Sequence, residues 1–165
     1  MRQNRGGNQQ RTRKSPRAFS ASKSSSENKA FAKLCDHLAR RDHSIKELQE
    51  KLGRRFEEEA IAAALKMAEE CGYIKPPEEL AERFAEALHE RGRGHRRILY
   101  ELQKKGLPPV DKDPERELEK GRQQLDKLLM KSDDQSFQAK QKAMRSLANR
   151  GFEMDTIRQV MDEKF

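Results

Sequence analysis

Residues 83–107 read RFAEALHERGRGHRRILYELQKKGL, and the spacing of their apolar side chains decides the fold. Phe84 and Leu88 lie four residues apart, as on one helix face. Ile98, Leu99 and Leu102 then mark a second helix, with Gly92, Gly94 and Gly106 at the breaks. Within this pair Leu88, Arg91, Ile98 and Leu102 have the spacing L-x2-R-x6-L-x3-L. Leu38, Arg41, Leu48 and Leu52 repeat it 50 residues upstream, and Leu147, Arg150, Ile157 and Met161 repeat it 59 residues downstream, without internal gaps. The preceding core positions also correspond, as Leu34, Phe84 and Ala143, then as Cys35, Ala85 and Met144. Each such unit leaves an apolar face that only a neighbouring unit can bury. The expected fold is all-α, with tandem three-helix repeats forming an elongated, curved array. Residues 30–75 make the first unit, 76–132 the second, and 133–165 a third, truncated to two helices.

Local start and stop signals support eight helices. Ser24 with Glu27, and Ser44 with Glu47, have capping-box spacing. Glu57, Glu58 and Glu59 suit the positive end of a third helix, Pro76 and Pro77 open a fourth, and Asp113 with Pro114 opens a sixth. A seventh helix buries Phe137, Met144 and Leu147, and an eighth buries Met154, Ile157 and Met161. Val, Ile and Thr total only nine residues, too few to fill pleated strands.

The chain has 165 residues and a formal net charge of +8, unevenly placed. Residues 1–29 contain eight bases and one acid, whereas 30–165 contain 28 bases and 27 acids. The first 29 residues have almost no large apolar side chains and are expected to be a disordered basic tail. There Arg2, Arg5, Arg11, Arg13, Lys14 and Arg17 are candidates for nonspecific DNA contact. In the body the densest basic cluster is Arg91, Arg93, Arg96, Arg97, Lys104 and Lys105, a candidate surface for phosphates or for an acidic protein face. The recurring Arg41, Arg91 and Arg150 fall where a cation satisfies the last carbonyls of a helix.

No catalytic pattern is present: neither a phosphate-binding G-x-x-x-x-G-K-[ST] loop, nor a G-x-S-x-G elbow, nor H-E-x-x-H. Cys35 and Cys71 lie 36 apart without a C-x-x-C, and the four histidines lack ligand spacing, so no metal, cofactor or disulfide framework is expected. Cys35 reads as a small buried thiol. A non-enzymatic binding or regulatory protein is expected. No apolar run reaches the roughly 20 residues of a membrane span, and no secretory signal opens the chain, so the expectation is a cytoplasmic monomer without a membrane partner.

Arg83, Phe84, Arg91, Gly94, Arg97, Ile98, Glu101, Leu102, Lys105, Gly106 and Leu107 resemble the central signature of the RecX regulatory proteins, R-F-x6-R-x2-G-x2-R-I-x2-E-L-x2-K-G-[IL]. Ser44, Glu47, Leu48, Leu52, Gly72, Tyr73 and Ile74 resemble that family's first unit. Leu147, Arg150, Gly151, Phe152 and Ile157 resemble its last. The similarity spans Ala30 to Phe165. It departs in two connectors, at Lys75, Pro76 and Pro77 and in the Pro-rich link Leu107 to Asp113, which bears on the angles between units.

This resemblance implies a modulator of the RecA recombinase, in the bacterial cytoplasm, that docks in the helical groove of a RecA filament on single-stranded DNA. The usual outcome in that family is inhibition of ATP hydrolysis, strand exchange and the coprotease activity behind the SOS response. Arg83 and the basic cluster are then candidate contacts to RecA or DNA. The alternative is a helical nucleic-acid-binding protein that acts without RecA. Sequence-specific readout is disfavoured, because the second helices begin with Ile45, His95 and Met154 and share no row of Arg, Asn or Gln.

Overall fold

The computed structural model describes residues 24–130 and 136–165. The tail candidates Arg2, Arg5, Arg11, Arg13, Lys14 and Arg17 lie outside the described residues. Eight α-helices occur among the described ones: α1 (Glu27–Leu38), α2 (Ile45–Leu52), α3 (Glu58–Glu70), α4 (Pro77–Glu90), α5 (His95–Lys104), α6 (Pro114–Leu129), α7 (Phe137–Arg150) and α8 (Met154–Lys164). The only extended pairing there is an isolated parallel bridge between Ser24 and Phe56.

The helix ends follow local chemistry. The Ser44 hydroxyl accepts from the Glu47 amide while the Glu47 carboxylate accepts from the Ser44 amide, a complete capping box. Asp113 accepts from the Arg116 amide and Pro114 opens α6. At the start of α1 the cap is Ser26 rather than Ser24, with the Ser26 hydroxyl accepting from the Lys29 amide. Ser24 instead donates its amide to the Arg55 carbonyl and accepts from the Glu57 amide. Paired backbone therefore includes Ser24, ahead of the boundary at Lys29 that charge composition places.

Three small cores follow one another along the chain. Leu34, Leu48, Leu52, Phe56, Ile61 and Leu65 build the first from α1, α2 and α3. Leu80, Ala81, Ala85, Ile98, Leu102 and Leu107 build the second from α4, α5 and the segment after them. Leu125, Leu147, Phe152, Ile157, Val160 and Met161 build the third from α6, α7 and α8. Each fully buried aliphatic side chain contributes about 1.5–3 kcal/mol, so each core rests on a handful of such residues.

This packing alters the expected partition. The boundary at residue 132 groups α6 with the second unit and leaves α7 and α8 as a truncated pair, whereas α6 supplies Leu125, Leu118 and Leu129 to the third core. The second core is closed instead by an extended leg, through Leu107 and Val110. Periodicity shows that a helix has an apolar face but not which neighbour covers it. Two predicted core positions are also displaced: Phe137 is 74% and Met154 44% exposed, because each stands at the first turn of its helix, beyond the packed stretch. Cys35 is half-buried and Cys71 exposed, both free.

Candidate functional site

The central basic cluster does not act as one patch. Its Lys105 and the neighbouring candidate Arg83 are braces to the first unit. Arg83 on α4 donates to Asp42 at 2.8 Å, and Lys105, just after α5, pairs with Glu47 of α2 at 2.5 Å and lies 4.2 Å from the Phe84 ring. Lys75 reaches the same Asp42 at 3.2 Å, and the Ser44 hydroxyl donates to the Lys105 carbonyl at 2.6 Å. Burial opposes ionisation of Glu47, but Lys105, Arg41 and the Ser44 amide outweigh it and hold the carboxyl at about 2. Arg41 thus reaches forward to Glu47 and the Asp42 carbonyl, beyond the end of α1, and does not cap its own helix as its position in the repeat predicts.

Two more members are engaged on α5 itself. Arg97 pairs with Glu101 at 2.6 Å, and its guanidinium stands 5.3 Å from the centre of the exposed Tyr100 ring. The Lys104 ammonium lies 5.8 Å from the centre of the same ring. The remaining three, Arg91, Arg93 and Arg96, have no side-chain ion pair among the described residues. Arg91 and Arg96 are exposed, and Arg93 is half-buried in the turn between α4 and α5.

That turn is joined to the third unit by backbone. The Gly94 amide donates to the Arg150 carbonyl at 2.9 Å and the Arg96 amide to the Gly151 carbonyl at 3.1 Å. Only glycine permits this approach. A Cβ on Gly94 would stand 2.3 Å from the Gly151 carbonyl carbon, and one on Gly151, which has φ +91°, would stand 2.4 Å from Arg97 Cβ. Beneath the joint lies a buried polar network on α6. Glu117 accepts from the His95 amide at 2.7 Å, and the Lys120 ammonium donates to Glu117 at 2.7 Å, to the Arg93 carbonyl at 2.7 Å and to His89 Nδ1 at 2.8 Å. Burial, reinforced by the Lys120 and Arg116 charges, lowers His89 to about 4; burial also lowers Lys120, against the pull of Glu117.

The joint forms one end of an open groove of about 700 Å³ between Arg93 and α7. Arg93, Lys142, Arg145 and Arg150 line it together with Gln138, Gln141, Ser146 and Asn149. No carboxylate and no large apolar side chain is among these residues. By contrast, a groove of about 420 Å³ on the first unit sets Lys33, Lys51, Arg54 and Arg55 beside Glu47 and Glu50. Lys142 and Arg145 escape sequence reasoning, which weighs Arg150 only as a helix cap. The signal was present: α7 is the one described helix without an acidic residue, and Gln138, Lys142, Arg145 and Asn149 recur at three- and four-residue steps on one face.

The described residues contain no group of three side chains able to hold a metal ion, and no helix there is long and apolar enough to cross a membrane. Two family models match the chain: RecX, first three-helix domain, over residues 30–66, and RecX, third three-helix domain, over residues 115–161. The second match spans almost all of α6 to α8, the grouping that the third core makes. The Regulatory protein RecX of Prosthecochloris aestuarii (strain DSM 271 / SK 413) is 30% identical over 141 residues, 82% of this chain and 93% of that protein. A crystal structure of RecX from Lactobacillus salivarius superposes with a TM-score of 0.70 at 21% identity, over 83% of this chain and 95% of the other. A crystal structure of a regulatory protein RecX gives a TM-score of 0.70 at 19% identity, over 82% of this chain and 73% of the other. On the matched domains, the relative and the shared fold, the chain belongs to the RecX family of regulatory proteins.

Proposed function

We propose that this protein modulates RecA by docking along the groove of a RecA filament on single-stranded DNA, and that it inhibits ATP hydrolysis, strand exchange and coprotease activity. The observation that carries the reading is the row of three separate cores in one chain, each presenting its own outer surface. A filament repeats its surface at a fixed interval, and a protein with several linked contacts engages successive protomers at high effective concentration. Its affinity for the filament then far exceeds its affinity for one free RecA. Helices of ten to sixteen residues are about 15–24 Å long at 1.5 Å per residue, so three units in series can bridge neighbouring protomers. Bridging restrains the protomer movements of the ATP cycle. The protein acts in the cytoplasm as a monomer and reaches DNA through RecA or directly.

The test is the single-strand-dependent ATPase of RecA at a few substoichiometric ratios of this protein. A fall in rate well beyond the molar ratio is expected. An unchanged rate rejects the reading, and a raised rate rejects inhibition while keeping the partner.

A further inference from the structure

We infer that an open groove between α7 and α8 is the seat for an amphipathic, acid-flanked helix of a protein partner; resting on the reading above, that partner is RecA. The repeat shows what such a face takes. In the first unit α3 lies on α1, and its Ala60, Ile61, Ala64 and Leu65 share one core with Ala30, Leu34, Leu52 and Phe56. The template pairs Leu38 with Leu147 and Leu52 with Met161, and at the same offset of 109 residues Ala30 falls on Ala139, Leu34 on Ala143 and Phe56 on Phe165. In the third unit α6 does not lie as α3 does. A Cβ on its Gly121 would meet Val160 at 3.1 Å and Thr156 at 3.6 Å, and the counterparts of these two in the first unit are Lys51 and Glu47, so α6 crosses another side of α8. Phe56 is accordingly 7% exposed and Phe165 40%.

The open face is a groove of about 390 Å³, and each wall is one helix stripe: Phe137, Lys140 and Met144 on α7, and Arg158, Met161 and Phe165 on α8, at steps of three and four residues. Two helical ridges of this kind receive a third helix between them. The two methionines conform to an incoming side chain, and the two rings are anchors of the type that dominates protein interfaces. The rim sets the charge of the occupant. Lys140, 4.3 Å from the centre of the Phe165 ring, has no ion pair among the described residues, and Arg158 has only Asp155, at 3.5 Å with both side chains largely in water. Asp162 is the single carboxylate among the described lining residues. The partner helix therefore carries Asp or Glu beside its apolar face, as α3 carries Glu58, Glu59, Glu69 and Glu70. A second copy fits worse, because two-fold pairing of this groove sets Lys140 and Arg158 against themselves.

The experiment measures the affinity of the fluorescently labelled full chain for preassembled RecA filaments on single-stranded DNA. Phe137→Ser with Phe165→Ser removes two exposed rings and leaves the fold intact, as a circular dichroism melt verifies. It should weaken binding roughly 30-fold, the loss expected on removing an interface anchor. Lys140→Glu with Arg158→Glu keeps the rings and should weaken binding about tenfold at low salt and barely at about 0.5 M salt. Met130→Ser, which removes an apolar side chain 88% exposed at the end of α6, leaves the affinity unchanged; an equal loss there overturns the seat. Irradiation of the filament complex with p-benzoylphenylalanine in place of Phe137 should join it to a RecA helix whose apolar residues recur at three or four with Asp or Glu beside them. Cross-links to a second copy, to DNA or to a RecA segment without that pattern overturn it. Where the unaltered chain slows the RecA ATPase and both double variants bind and slow it equally well, the seat is rejected and the function proposed above stands. An unaltered chain without effect on the ATPase rejects both.

Discussion

The two joints of this chain are built from different materials. The first unit meets the second through side chains: Arg83 on Asp42, Lys105 on Glu47, and the Ser44 hydroxyl on the Lys105 carbonyl. The second meets the third through backbone hydrogen bonds at Gly94 and Gly151, over a buried network of Glu117, Lys120 and His89. Ion pairs on long side chains tolerate small changes of angle and weaken with salt. Backbone contact without intervening side chains tolerates almost none. The chain is thus a yielding joint followed by a stiff one, and the basic groove sits on the stiff one, where its cations keep their spacing.

The stiff joint breaks most severely at Glu117. Glu117→Leu leaves the Lys120 ammonium buried without its carboxylate and the His95 amide without its acceptor, so urea unfolding should show a loss of about 3–5 kcal/mol. Adding Lys120→Met removes the stranded charge and should restore a large part; a double variant as weak as the single would mean that the network's value lies elsewhere. Gly94→Ala should cost about 3 kcal/mol, since its methyl group meets backbone that has no room to move. Hydrogen exchange at the Arg96 amide should accelerate before that of α1.

Acid separates the joints by pH window. Folded His89 takes up its proton near 4 and the unfolded chain near 6.5, so its contribution is complete above 6.5 and is lost as pH falls towards 4. Glu47, ordinarily near 4.5 and held at about 2, contributes fully above 4.5 and loses its share as pH falls towards 2. Urea midpoints should therefore decline in two stages; His37 and His43, which burial also lowers, share the upper one, so His89→Gln should reduce that stage and leave the lower one unchanged. The smallest effect belongs to the yielding joint: Asp42→Asn should cost about 0.5–1 kcal/mol at low salt and almost nothing in 1 M salt.

Much of the outline was legible because it is local. The Ser44 and Glu47 box, the Asp113 cap and the prolines at helix starts depend only on residues within one turn, and all stand where the spacing places them. The repeat template likewise found Leu48, Leu52, Ile98, Leu102, Leu147 and Ile157, every one buried. The candidate cluster was legible only as composition. Its six cations and Arg83 share a stretch of sequence, but Arg83 and Lys105 turn towards the first unit while Arg93 turns towards the third, and no periodicity encodes that division.

What the sequence determined by itself is an all-α chain of tandem helical units and the family those units resemble, because helix periodicity, caps and glycine breaks are set by short-range sterics and hydrogen bonding. What only the tertiary structure decided is which core α6 enters, which cations are spent on neighbouring carboxylates, and that Lys142, Arg145 and Arg150 face Arg93. Those outcomes depend on how units far apart in the chain press together. There the absence of a Cβ at Gly94 and Gly151 admits backbone against backbone, and this close approach sets which side chains share a surface.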